Sequence, residues 1–280
     1  MTINEHTAAA FLAAALAGSA APAQICDPRP IDGAVGAMLD ALPLLDGAVL
    51  IVGDADGLYY EGYFGTYGPE TVLPLASASK LLSAVAVMTQ IDAGAIDPHA
   101  PIVEALPDVF DPSRAGPVKP FMTVDQMYSM TCGLSGDGGN PILSDLSLTM
   151  AEAVDLIATT TIPAALPGTE LNYTGLGMHV AGHLCEVVSG MPFDAFYAQA
   201  VSEPLNTPGI GWQAFGPTLN FRPSGGGTSN GRDYARVLRM LGRVGEIDGV
   251  RLLSEQAVER MYAERTVGLP VGDVPPDAGD

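Results

Sequence analysis

Lysine is almost missing from this chain: Lys80 and Lys119 are the only two, and 12 basic residues face 32 acidic ones for a net charge of −20. A protein of that sign repels polyanions, which argues against nucleic acid and anionic lipid surfaces as partners. Cysteine is scarce too. Cys26, Cys132 and Cys185 are an odd number with no C-x-x-C pair, which removes metal-ribbon and redox-motif readings and leaves small buried side chains as the simplest account. The apolar run Ala8–Ala17 falls short of the roughly 18–20 residues of a membrane span, so no transmembrane anchor is expected. Internal repeats and low-complexity segments are lacking as well. What is present is 280 residues with 48% hydrophobic content, enough to fill a sizeable core.

Residues 1–23 read as a secretory signal peptide, with the apolar run followed by Ala21-Pro22-Ala23 and cleavage before Gln24, although Met1–Thr7 carries Glu5 and no basic residue. A periplasmic or secreted location is the expectation. From Arg29 to Leu42, apolar residues at helical spacing predict a helix with one face turned inward. Gly47–Val52 and Leu58–Phe64, joined by Asp54-Ala55-Asp56-Gly57, predict an antiparallel hairpin. Pro101, Pro107, Pro112, Pro117 and Pro120 mark the stretch around 105–120 as irregular surface connection. Helices are predicted over Met122–Met130, opened by Thr123, and over Met150–Thr159, capped by Thr149. Others are expected over Gly177–Val188, Pro192–Leu205, Arg232–Leu241 and Ser254–Ala263.

The chemistry centres on Leu75-Ala76-Ser77-Ala78-Ser79-Lys80, ahead of an apolar helical run that ends near Gly94. If a helix begins at or just before Ser77, a spacing of three puts Ser77 and Lys80 on one face. A hydroxyl beside an amine that can take its proton is a nucleophile-and-base pair. The Ser77 N–H, at the positive end of the helix, then supplies one half of an oxyanion hole. Taken alone, the motif equally describes an N-cap serine with a solvated lysine one turn on.

Several segments in order resemble the serine beta-lactamase and penicillin-binding-protein superfamily, most closely its class C-like branch of esterases, D-amino-acid peptidases and beta-lactamases. They are the hairpin Ala48–Phe64, Ser77-Ala78-Ser79-Lys80, Ile91–Asp97, Met122-Thr123-Val124 with Thr131–Leu134, Pro167-Gly168-Thr169 before Tyr173, and Gly225-Gly226-Gly227 before Arg232–Arg236. The resemblance runs from about Gly47 to Val267. It implies an α/β (α+β) fold of the beta-lactamase/transpeptidase type, an antiparallel sheet flanked by helices plus a helical lobe, with the site between sheet and lobe. It also implies Ser77 as nucleophile, Lys80 as base and Tyr173 as the group passing a proton to the leaving group, without metal or organic cofactor.

Two departures qualify it. Gly175 stands where the family's Tyr-x-Asn motif has an asparagine, so this substrate-binding position lacks the amide that orients acylamide substrates. No Lys-Thr-Gly variant follows residue 267, which leads to the expectation of a single domain, 24–280, that is C-terminally incomplete. The expected function is hydrolysis of a small-molecule ester or amide through an acyl-serine, with an esterase first and a beta-lactamase or D-amino-acid peptidase second. A non-catalytic binding or sensory relative is the alternative of another class.

Two rival constellations are weaker. Gly227-Thr228-Ser229-Asn230-Gly231 fits the Gly-x-Ser-x-Gly elbow, but His6, His99, His179 and His183 all precede Ser229, and no strand is predicted to lead into it. His179, His183 and Glu186 share a helical face at ligand-compatible spacing, yet Val180 stands where a zincin needs glutamate, so no metal site is assigned.

Overall fold

The structure, a computed structural model, describes residues 29–135 and 140–272. The expected signal peptide and Cys26 lie outside the described residues. The chain divides into two compact units, Met1–Asp46 and Gly47–Asp280. In the first, helix α1 spans Arg29–Ala41, and none of its residues is buried. The inward-facing stripe expected of it is therefore not realised among the described residues.

The second unit opens with the predicted hairpin, β1 (Gly47–Gly53) against β2 (Leu58–Gly65), antiparallel from Gly47 opposite Gly65, with the register slipping between Val52 and Gly53. The turn is closed by Asp54, whose carboxylate accepts from the N–H groups of Asp56 and Gly57 at 2.7 and 3.1 Å. A two-residue strand β3 (Leu73–Pro74) leads to a 3₁₀ turn, Ala76–Ala78, and then to helix α2 (Ser79–Asp92). Helix α2 buries Leu82, Ser83, Val85, Ala86 and Val87 on several sides, the mark of a central rather than a surface helix. At about 1.5–3 kcal/mol for each fully buried large apolar side chain, it is a main anchor of the core.

The proline-rich stretch is more ordered than its composition predicts. Short helical turns occupy Ile102–Ala105, Pro107–Phe110 and Pro112–Ala115, and Leu106, Phe110, Ala115 and Pro120 are buried. Pro107 and Pro112 sit at first-turn positions, where no N–H is needed and the fixed φ suits a helix. Thr123 and Thr149 close capping boxes on α3 (Val124–Tyr128) and α4 (Met150–Thr160). The end of α4 is covered by buried Lys119, whose Nζ donates to the carbonyls of Ile157 and Thr161 at 3.3 and 2.6 Å.

Helix α5 (Leu176–Ser189) runs through the core against α2, α3 and α4. Gly177 allows close contact there: a Cβ on it would lie 2.9 Å from Cys132 Sγ. Helix α6 (Phe193–Tyr197) follows, continued by a π-helical turn, Ala198–Ser202, and packs Phe193 and Tyr197 edge-on against the single tryptophan, Trp212. Strand β4 (Thr228–Ser229) pairs antiparallel with β3. Helix α7 (Gly231–Gly242), the small hairpin β5 (Glu246–Ile247) and β6 (Val250–Arg251), and helix α8 (Glu255–Tyr262) follow, and the chain then runs on to bridge Leu171 with Val271. Helix α7 lies against β1, with Gly231 facing Val49 and Ile51, and Arg232 bonds Glu61 of β2 at 2.7 Å. Helices thus flank an antiparallel hairpin on one side of a largely helical lobe.

Candidate active site

Ser77 sits in the 3₁₀ turn rather than in the α-helix proper, which begins two residues later. The turn is entered through Ala76, a non-glycine residue at φ +46°, a conformation that costs about 1–2 kcal/mol and holds Ser77 exposed at the mouth of α2. One turn on, Lys80 bends back so that Nζ lies 2.9 Å from Ser77 Oγ. Tyr173, 96 residues further along the chain, brings its hydroxyl to 2.7 Å from the same oxygen. Lys80 Nζ also lies 4.7 Å from the centre of the Tyr173 ring, close enough for a cation–π attraction, and donates to the Ser224 carbonyl at 2.9 Å. Three predicted residues therefore meet around one oxygen.

Tyr173 is held by the chain on both sides. Asn172, fully buried, donates from its N–H to the Met130 carbonyl at 2.8 Å and from its side chain to Glu170 at 2.9 Å. Gly175, the fourth predicted residue, is buried at the N-cap of α5, where its carbonyl accepts from His179 N–H at 3.0 Å. It carries no side chain toward Ser77.

Sequence reasoning missed the groups that surround this trio. Ser224 contributes a backbone carbonyl, which no motif announces. Ser79, buried, accepts from Gly227 N–H at 2.9 Å, and Tyr234 of α7 donates to the Ala78 carbonyl at 3.2 Å. The available signal was the run Gly225–Gly227, whose glycines permit close approach: a Cβ on Gly227 would stand 2.8 Å from Ser79 Oγ.

The rival residues are engaged elsewhere. A two-residue strand does lead into Ser229, contrary to expectation, but Ser229 is buried and its hydroxyl donates to the Asn230 carbonyl. His179 is wholly buried with Nε2 on Asn220 Oδ1 at 2.7 Å, and burial pushes its pKa down to about 4. His183 instead pairs with Glu186 at 3.0 Å. Among the described residues no group of histidine, cysteine, aspartate or glutamate is arranged to hold a metal ion.

A beta-lactamase family model matches residues 37–278, and the chain belongs to that family. Solved structures agree in fold. A candidate beta-lactamase from Bacteroides dorei DSM 17855 superposes with a TM-score of 0.76 at 23% identity, covering 89% of this chain and 73% of that one. The octameric penicillin-binding protein homologue from Pyrococcus abyssi matches with a TM-score of 0.68 at 19% identity, over 86% of this chain and 61% of its own. A family VIII carboxylesterase gives 0.65 at 19% identity, over 81% and 73%. No curated protein matches the chain by sequence.

Proposed function

We propose that this protein is a serine hydrolase that cleaves small or medium acyl esters through an acyl-Ser77 intermediate. The observation that carries the reading is the convergence of Lys80 Nζ and the Tyr173 hydroxyl on Ser77 Oγ, at 2.9 and 2.7 Å. Acyl transfer needs an attacking oxygen, an acceptor for its proton, a donor to the leaving group and donors to the developing oxyanion. In this reading Lys80, in its neutral form, takes the proton of Ser77 as Oγ bonds the substrate's carbonyl carbon. Tyr173 then delivers a proton to the departing oxygen, and the Ser77 N–H stabilises the oxyanion. Water attacks the acyl-enzyme in the second half, with the same groups acting in reverse.

The preference for esters rests on Gly175, which removes an amide that would orient an acylamide, and is supported by the fold shared with a carboxylesterase. Export through residues 1–23 belongs to the same proposal. Among the described residues no helix is long and apolar enough to cross a membrane.

The test is to incubate the purified chain separately with a fluorophosphonate and with a penicillin, then weigh the intact protein. A fluorophosphonate adduct on Ser77, lost in Ser77→Ala and slowed at least about 100-fold in Lys80→Ala, is expected. A penicillin adduct at Ser77 without fluorophosphonate labelling favours penicillin recognition over the esterase reading. A folded sample that reacts with neither is a binding relative without turnover.

A further inference from the structure

A short ladder continues β3 and β4 beyond their paired residues and ends beside the nucleophile. Leu73 opposes Ser229 and Pro74 opposes Thr228. The next rung is the Leu75 N–H donating to the Gly227 carbonyl at 2.9 Å. An antiparallel pair of this kind normally returns the second bond, from Gly227 N–H to the Leu75 carbonyl. Here that carbonyl accepts instead from Ala78 N–H at 3.0 Å, because the chain has already turned into the 3₁₀ segment that presents Ser77. The Gly227 N–H is met by a side chain: Ser79 Oγ, 2.9 Å away on a residue with no exposed surface. Three residues earlier on the same segment, the Ser224 carbonyl receives Lys80 Nζ at 2.9 Å.

We propose that Ser79 is a positioning residue for Lys80, acting through the segment Ser224–Gly227; this deepens the acyl-Ser77 reading and rests on it. A lysine side chain turns about four torsions, so a single bond to Ser77 would leave Nζ free to swing. The Ser224 carbonyl, which can only accept, fixes one Nζ hydrogen. That restricts the other hydrogen and the lone pair of the neutral amine to the side where Ser77 Oγ lies 2.9 Å away and the Tyr173 ring centre 4.7 Å away. The carbonyl can do this only while its segment keeps its register against the nucleophile turn. Ser79 closes that register where backbone pairing has run out. The space is already tight, since a Cβ on Gly227 would lie 2.8 Å from Ser79 Oγ and 3.2 Å from its Cβ. A displacement of a base by about 1 Å lowers its rate contribution by as much as about 100-fold.

The full chain is tested by single-turnover labelling with a fluorophosphonate, in which Ser77 Oγ bonds phosphorus, fluoride leaves and Lys80 takes the proton. Ser79→Ala is expected to lower the limiting labelling rate at least about 10-fold, with the half-saturating reagent concentration changing less than about 2-fold. Its pH–rate profile moves from that of the wild type, a change that loss of packing alone would not produce. A wild-type limiting rate in Ser79→Ala, or a lower rate with an unmoved pH–rate profile, overturns the proposal. If Ser79→Ala does not fold by far-UV circular dichroism, Ser79→Cys replaces it, filling the site with a slightly larger side chain whose sulfur is a weaker acceptor. A loss of at least about 5-fold is then expected, and a wild-type rate is fatal. Labelling that persists in Ser77→Ala instead defeats the nucleophile assignment, before any Ser79 variant is compared, and the positioning role with it.

Discussion

Mild acid should destabilise this protein through His179. Its ring has no exposed surface, and burial, outweighing the bond it makes to Asn220 Oδ1, pushes its pKa from 6.5 down to about 4. A depressed folded value means that below 6.5 the unfolded chain takes up a proton that the native chain refuses. The contribution is therefore whole above pH 6.5, declines as pH falls, and is gone near pH 4. At 1.36 kcal/mol per pH unit the full loss is about 3 kcal/mol, of which about 2 kcal/mol has gone by pH 5. The network at stake is close to the site's supports. Asn220, which accepts from His179, also donates to the carbonyls of Ile142 and Asp145, each at 2.9 Å, and lies four residues before Ser224. Urea unfolding of wild type and His179→Gln at pH 8, 7, 6 and 5 isolates the term. Carboxylates with lowered values, such as Asp54 and Glu61, titrate in both proteins and cancel in the difference. The wild type should lose about 2 kcal/mol relative to the variant between pH 8 and 5. A difference that stays flat over that range refutes the reasoning.

Three further outcomes are expected. Tyr173→Phe removes the hydroxyl 2.7 Å from Ser77 but keeps the ring under Lys80, so turnover of a p-nitrophenyl ester should fall at least about 100-fold with unchanged thermal stability; turnover within a few-fold of wild type argues against proton transfer by this group. Gly133→Ala should cost at least about 2 kcal/mol in chemical denaturation, because φ is +83° there and a Cβ would stand 2.3 Å from the Ala165 carbonyl oxygen; a neutral effect would show that the segment relaxes freely. In a Cys26→Ser background, Cys132 and Cys185 should resist a thiol reagent at pH 8 until urea is added. Both are buried, and burial pushes the Cys132 thiol up to about 11 and the Cys185 thiol higher than its ordinary value; rapid reaction of the native protein contradicts that.

What the sequence determined by itself is local. Ser77 and Lys80 meet because three residues of helical chain bring side chains to one face, whether the first turn is α or 3₁₀. Thr123, Thr149 and Ser254 announce their helices because a cap bonds a backbone N–H only two or three residues away. The proline-rich stretch misled for the converse reason: proline at a first helical turn loses nothing, and whether such turns bury Phe110 depends on partners that the stretch does not contain. Tertiary structure alone decided the rest of the site. Tyr173 was legible only through a family resemblance, since no local rule carries its hydroxyl across 96 residues to Ser77. The Ser224 carbonyl and the Gly227 N–H are backbone groups of the kind every residue has, and they acquire a role only when the fold sets them beside Lys80 and Ser79. His179 shares a helical face with His183 and Glu186 by its spacing, and becomes a buried neutral base only when α5 is enclosed. Spacing along a chain fixes contacts within a turn or two; contacts between segments are fixed by which apolar faces close over one another.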